Sequence, residues 1–314
     1  MRPCPPTQTS VRPILEWDMA DALLEIEDLH AWYGESHILH GASFNVGEGE
    51  VVTLLGRNGA GKTTTLRLLL GLLQPTAGRA LIFGLDCQDD PVAVHRRVAY
   101  VPGEVTLWPS LTGDETLHLL ANVHGHIDAG YRDELIERFE LDPSKKVRAY
   151  SKGNRQKVVL IAGLMSRADV LLLDEPTSGL DPLMARVFRE CVTDAHRRGQ
   201  TVLLSSHILS EVEAVCDRVA ILRAGRLVEV GALADMRHLS ALHVEIETAR
   251  TVPDLSNVPG VRVVERADRR VRCQVAGSME PLLQAVMPAG VRHLVSTEPT
   301  LEELFLAHYG RVDD

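Results

Sequence analysis

An α/β fold is what the sequence predicts, and three observations carry the prediction. Strand and helix patterns alternate from Ala22 to about Val230, as a layered arrangement of sheet and helix requires. A glycine-rich turn, GRNGAGKTT at 56–64, stands between an apolar strand pattern and an amphipathic helix pattern. Two short apolar runs, in VLLLDEP (170–176) and QTVLLSSH (200–207), carry the mark of parallel strands buried on both faces.

Along the chain, LLEIEDLHAWY and ASFNVGEGEVVTLLG read as strands, and the glycine-rich turn opens a helix over TTTLRLLLGLL. QPTAG at 74–78 reads as a turn, and RALIFG returns as a strand. Between Leu111 and Tyr150 the pattern becomes helical, with apolar residues at helical spacing in TGDETLHLLANV and YRDELIERFE. The character changes after Gly231. ALHVEIETA, VRVVERA and RRVRCQV alternate as half-buried strands, SMEPLLQAVM reads as a helix, and VRHLVST as a further strand. Thr300 with Glu303 makes a capping box for a closing helix, LEELFLAHYG. A domain boundary is therefore expected near residues 231–240.

The 314 residues suffice for one large domain and a smaller one. Hydrophobic residues make up 45% and charged residues 24%, the profile of a globular protein. The net charge of -10 disfavours nucleic acid as a partner, because a phosphate backbone needs a basic face. Cys4, Cys87, Cys191, Cys216 and Cys273 are scattered without a CxxC pair, which fits a reducing cytoplasm better than a disulfide framework or a zinc site. Runs such as VVLIAGLM (158–165) fall far short of the roughly 18 apolar residues of a membrane span. The first twenty residues hold four prolines and no apolar stretch of the signal-peptide kind. They are expected to be a flexible tail, or an over-extended start with Met19 as the true initiator.

GRNGAGKTT carries the strongest chemical signal. Glycines at 56, 59 and 61 let the backbone wrap around phosphate oxygens with its N–H groups pointing inward. The helix that follows turns its positive end to the same anion. Lys62 would neutralise the β- and γ-phosphates, and the Thr63 hydroxyl would hold Mg²⁺. In VLLLDEP, Asp174 ends a buried strand where it can reach the Mg²⁺ shell, and Glu175 can deprotonate an attacking water. Three more motifs follow the same logic of order: YSKGNRQK (150–157) ahead of the helix KVVLIAGLMSRA, SGLD (178–181), and SSH (205–207) at a strand end.

With these motifs in this order, the stretch from about Leu23 to Val230 resembles the nucleotide-binding subunit of an ATP-binding-cassette transporter. The resemblance implies a P-loop NTPase of α/β class, with a RecA-like core, an antiparallel β subdomain and a helical signature subdomain, plus a small α+β C-terminal domain. The expected division is a tail over 1–21, the ATPase domain over 22–235 with its helical subdomain at about 104–166, and an accessory domain over 236–314. It also implies that ATP and Mg²⁺ are bound. Gly56, Asn58, Gly59, Ala60, Gly61, Lys62, Thr63 and Thr64 would cradle the phosphates, and Thr63 and Asp174 would hold Mg²⁺. Tyr33 would stack on adenine, with Trp32 as the nearby competitor. Glu175 and His207 would be the catalytic pair, His207 meeting the γ-phosphate and the attacking water.

Ser151 and Gly153 match the signature that reaches the ATP held by an opposite subunit, while Lys152 and Asn154 replace the glycine and glutamine of the usual pattern. Lys152 either adds positive charge near the γ-phosphate or points to solvent. Asp181 would communicate between subunits. A second departure lies in VAYVPGEVTLWPS (98–110), where Gly103 stands at the place of a glutamine that reaches Mg²⁺ and senses the membrane partner. Three accounts compete: water fills that gap, Glu104 supplies an oxygen, or the site is inactive; the intact Lys62, Thr63, Asp174, Glu175 and His207 speak against the last.

A single cassette cannot complete a site that needs Ser151 of another copy, so a homodimer with two sandwiched ATP molecules is expected. The output is expected to be transport through a separate multi-span permease of ABC-2 type, with the chain cytoplasmic and peripheral on the inner face of the membrane. YVPGEVTLWPSLTG and YSKGNRQK resemble drug and polyketide-antibiotic exporter ATPases. An importer ATPase, or a soluble non-transport ATPase of translation or repair, are the alternatives.

Overall fold

The computed structural model describes residues 22–124, 128–209, 213–233, 235 and 242–297. The expected tail, residues 234 and 236–240 of the expected boundary, and the closing helix with its Thr300 and Glu303 box lie outside the described residues.

Alternation in the first apolar stretch becomes β1 (Ala22–Tyr33), which buries Leu24, Ile26, Leu29 and Ala31 on one face. It pairs antiparallel with β2 (Ser36–Gly47), which starts earlier than the sequence pattern suggests. The reason is the two-residue loop Gly34–Glu35, where Gly34 adopts φ 57° and closes a tight hairpin with Tyr33 opposite Ser36. β4 (Ala77–Ile82) and β5 (Leu85–Asp86) complete an antiparallel sheet of order β2-β1-β4-β5.

The central sheet has the order β10-β9-β3-β8-β7-β6. β3 (Val51–Leu55), β6 (Val98–Val101), β7 (Val170–Asp174), β8 (Thr201–Ser206) and β9 (Arg218–Arg223) run parallel, and β10 (Arg226–Ala232) turns back antiparallel on β9. The apolar runs are continuous because both faces are covered. Leu171 and Leu173 of β7 pack with helical residues such as Leu160 and Phe188. Val170 and Leu172 pack on the other side with Leu66, Leu69 and the antiparallel sheet.

Helix α1 (Lys62–Leu69) is shorter than the apolar pattern alone suggests. It stops in a closing turn in which Gly71 N–H donates to Leu68 O and Leu72 N–H to Arg67 O. Beyond the short α2 (Pro91–His95), α3 (Gly113–His124) and α4 (Ala129–Arg138) precede α5 (Lys152–Met165), and α6 (Pro182–Arg197) follows β7. YSKGNRQK does not end before its helix: α5 begins inside it, at Lys152, because Ser151 supplies the N-cap by accepting from Asn154 N–H at 3.1 Å. Near the C-terminus β11 (Leu242–Thr248), β12 (Val261–Arg266), β13 (Arg270–Val275) and β14 (Val291–Thr297) form an antiparallel sheet of order β12-β13-β11-β14. Helix α7 (Glu280–Val286) buries Leu282 and Val286 in the same core as Val244, Ile246 and Val271. Among the described residues, no helix is long and apolar enough to cross a membrane.

Candidate functional site

Parallel pairing fixes where the candidate residues meet. Leu55 of β3 lies opposite Ser206 of β8, Asp174 of β7 opposite Ser205, and Val101 of β6 opposite Leu173. The segments that follow these strands therefore emerge along one carboxyl edge of the sheet, the usual place for a ligand in such folds. They are the glycine-rich loop, Glu175, His207 and Gly103.

The loop leaves the buried Gly56, exposes Arg57, Asn58 and Gly59, and returns inward at Ala60. Gly61 adopts φ 108° at the N-cap of α1, with its Cα so close to Leu39 that a Cβ would sit 2.7 Å from Leu39 Cδ2. A side chain is excluded there on both counts. The Lys62 ammonium is almost fully buried and turns back over the loop, donating to Gly56 O at 2.7 Å and Arg57 O at 3.3 Å. It also pairs with Glu175 Oε1 at 3.2 Å. Thr63 is half-buried and Thr64 buried.

Two carboxylates with different surroundings stand at the end of β7, Asp174 as its last residue and Glu175 just after it. Asp174 Oδ1 accepts from Thr63 Oγ1 at 3.1 Å and from Ser205 Oγ at 2.6 Å. Its presence contributes to the rise of the neighbouring Tyr100 hydroxyl, pushed up to about 12 chiefly by burial. Glu175 has its two oxygens divided between Lys62 and His207, whose Nδ1 stands 3.2 Å from Oε2. Its backbone sits in the left-handed region at φ 43°, held by N–H donation to Ser205 Oγ at 3.0 Å and Ser205 O at 3.2 Å. Ser205 thus ties both carboxylate residues together, a role the sequence reading did not assign. Its only signal there was membership of SSH.

Gly103 comes close to the same carboxylate. A Cβ built on it would meet Asp174 O at 3.1 Å and Asp174 Oδ2 at 3.5 Å, so a larger residue would push on the end of β7. Glu104 points to the surface and makes no hydrogen bond or ion pair among the described residues.

The remaining candidates surround this centre. Tyr33 stands 44% exposed at the β1–β2 hairpin, and the nearness of its hydroxyl is the chief cause that raises the Arg67 guanidinium's pKa. Trp32, its competitor, is stacked flat on His37 with ring centroids 4.3 Å apart. Ser151 and Lys152 are exposed at the start of α5. The Ser151 hydroxyl accepts from Asn154 N–H, which leaves its O–H free to donate outward. Asp181 is the N-cap of α6, accepting from Leu183 N–H and Met184 N–H at 3.0 Å each, with Pro182 in the first turn. The structure brings Lys62, Thr63, Asp174, Glu175 and His207 into direct contact; Tyr33, Ser151, Gly153 and Asp181 are not in that contact group.

Comparison with known proteins gives a consistent result. A family model described as ABC transporter matches residues 39–178. The chain is 35% identical over 266 residues to an uncharacterised ABC transporter ATP-binding protein of Alkalihalophilus pseudofirmus, covering 82% of this chain and 98% of that protein. It is 33% identical over 304 residues to the daunorubicin resistance ATP-binding protein DrrA3 of Streptomyces coeruleorubidus, covering 92% of this chain and 96% of that one. A solved structure of the ATP-binding subunit of an ABC transporter superposes with a TM-score of 0.64 at 36% identity, over 68% of this chain and 92% of the other.

Proposed function

The chain belongs to the ABC transporter family as an ATP-binding, ATP-hydrolysing subunit, and from that premise we propose that it powers export of a drug- or antibiotic-like compound through a separate membrane permease. The observation that supports ATP hydrolysis is the contact of Lys62, Glu175 and His207 beside the Thr63–Asp174 pair. Export is supported by the likeness to a daunorubicin resistance protein along 92% of the chain.

In this reading the N–H groups of Gly56, Asn58, Gly59, Ala60 and Gly61 and the start of α1 surround the phosphates, and Lys62 exchanges Glu175 for the β- and γ-phosphate oxygens. Freed of Lys62, Glu175 accepts a proton from water as that water attacks the γ-phosphorus, and the bond to the β-phosphate oxygen breaks to release ADP and phosphate. His207 orients Glu175 and the water and lies against the γ-phosphate. Tyr33 stacks on adenine, since the Trp32 ring is already engaged by His37. The hard oxygen donors of Thr63 and Asp174 fit Mg²⁺, which supplies charge neutralisation at the β- and γ-phosphates when bound. Ser151 and Gly153 complete the site of a second copy, so the working unit is a dimer. It sits on the inner face of the membrane, docked on a permease of ABC-2 type. Residues 22–235 form the motor, and 236–314 an accessory unit.

The test is efflux of an anthracycline from cells that express this chain together with an ABC-2 type permease. Efflux that depends on the pair and disappears with Glu175→Gln is expected. Uptake, or efflux indifferent to Glu175→Gln, would overturn the export reading.

A further inference from the structure

We propose that Lys152 is a positioning residue that clamps the turn after Glu175 onto the first turn of α5, so that Ser151 and Glu175 move as one body. The proposal rests on the reading above, in which Ser151 serves the ATP of the opposite subunit and Glu175 serves its own.

The clamp is built from one helix face. Lys152 and Gln156, four residues apart, lie one above the other along α5. Gln156 is buried and donates from Nε2 to Pro176 O at 2.9 Å. One turn earlier, Lys152 donates from Nζ to Ser178 Oγ at 3.1 Å. Between these anchors the lysine stem lies on Gly179, where an added Cβ would meet Lys152 Cγ and Cδ at 3.2 Å. Gly153 lies under the same turn, with a built Cβ only 2.6 Å from Gly179 O. Helix and turn are therefore in contact with no room for a side chain between them.

The turn in its own right leads back to the hydrolytic carboxylate. Ser178 N–H donates to Glu175 O at 3.0 Å, and Leu180 N–H donates to Thr177 O at 3.0 Å. A continuous path of hydrogen bonds runs from Lys152 Nζ through Ser178 to the Glu175 backbone, whose left-handed conformation sets the direction of its side chain. At the other end of the path, Lys152 is bonded in sequence to Ser151. The ammonium, though exposed, is thus engaged by its own chain. A glycine at 152, as in the usual signature, has no stem to lay on Gly179 and no ammonium for Ser178. The consequence is linkage: a displacement of Ser151 by the opposite ATP is carried to Glu175.

Purified dimer and three substitutions test this. Lys152→Met keeps the stem and removes the ammonium, Lys152→Arg keeps a donor, and Ser178→Ala removes the acceptor. The clamp predicts that Lys152→Met and Ser178→Ala each lower kcat by about fivefold, the scale of one lost hydrogen bond, with a smaller change in KM. It predicts that Lys152→Arg recovers most of the rate and that the Lys152→Met/Ser178→Ala double variant is no worse than either alone. Loss of activity in Lys152→Met with a wild-type Ser178→Ala would overturn the clamp, as would additive losses, or wild-type kinetics in Lys152→Met. Ser178→Ala keeps the test decisive if a Lys152 variant fails to fold. The underlying reading is checked separately: if Glu175→Gln hydrolyses ATP at the wild-type rate, it is the assignment of the base that fails, whatever Lys152 does.

Discussion

Lys62 Nζ and Glu175 Oε1 stand 3.2 Å apart, joining a helix N-terminus to the residue after a distant strand. In the proposed reading this pair holds the phosphate-binding cation and the hydrolytic base against each other, so that phosphate bound at Lys62 would release Glu175 for chemistry.

Removing the cation separates binding from fold. Lys62→Ala is expected to weaken ATP binding by about 100-fold, the scale of charge-assisted bonds to phosphate, measured with a fluorescent nucleotide. Nucleotide affinity equal to wild type would remove the phosphate-loop assignment.

Glu175→Gln keeps the shape and loses the base. ATP should still bind, kcat should fall by about 10²- to 10⁴-fold, and the protein should accumulate as a closed dimer on size-exclusion chromatography. Normal turnover would show that the proton goes elsewhere.

Ser205→Ala removes one hydroxyl that donates to Asp174 and accepts from Glu175 N–H. Because Ser205 is fully buried, the expected cost is about 1–3 kcal/mol of stability, read by denaturant titration, together with a fall in kcat. A variant with wild-type stability and rate would mean that the two carboxylate residues hold their places without it.

Gly103→Gln restores the residue that the family resemblance leads one to expect, yet activity should drop rather than rise. The added Cβ meets Asp174 O at 3.1 Å, so the end of β7 must yield by a few tenths of an ångström. A loss of about threefold to tenfold in ATPase rate is expected. A gain would mean that the edge of the sheet adapts freely.

His40 supplies a pH dependence. Burial, followed by His37, Arg226 and His30, holds its pKa below the ordinary histidine value, and Asp28 hydrogen-bonds the neighbouring His30. The folded chain takes up this proton less readily than the unfolded chain. Its contribution to stability is therefore complete above about pH 6.5 and is lost as pH falls through the lower, folded value. Thermal melts across pH 7.5 to 5 should show the loss, and His40→Gln should flatten it; an identical slope in both proteins would dismiss the effect.

Much of the fold was legible because its signals are local. The alternation in LLEIEDLHAWY, the apolar runs of β7 and β8, and the glycine-rich turn before α1 each declare themselves within a dozen residues. The sequence pattern starts α5 too late, since SKGN looks like a loop until Ser151 is seen to cap Asn154. The role of Ser205 was invisible for another reason. It depends on β8 lying beside β7 in a register that sets Ser205 opposite Asp174, and no local pattern encodes a neighbour. The engagement of Trp32 by His37, which favours Tyr33 in the proposed reading, likewise depends on pairing across the hairpin. Gly103 could be flagged as a departure from sequence, but only its approach to Asp174 gives it a steric meaning.

The stacked Trp32 and His37 make the hairpin an optical reporter. Indole emission responds to the polarity and packing beside the ring. Trp32 is next to Tyr33, while Trp108 lies on a separate loop. In a chain whose Trp17 and Trp108 are replaced by phenylalanine, a change in Trp32 emission on adding ATP would report, without a label, that nucleotide reaches this hairpin, and an unchanged spectrum would place adenine elsewhere.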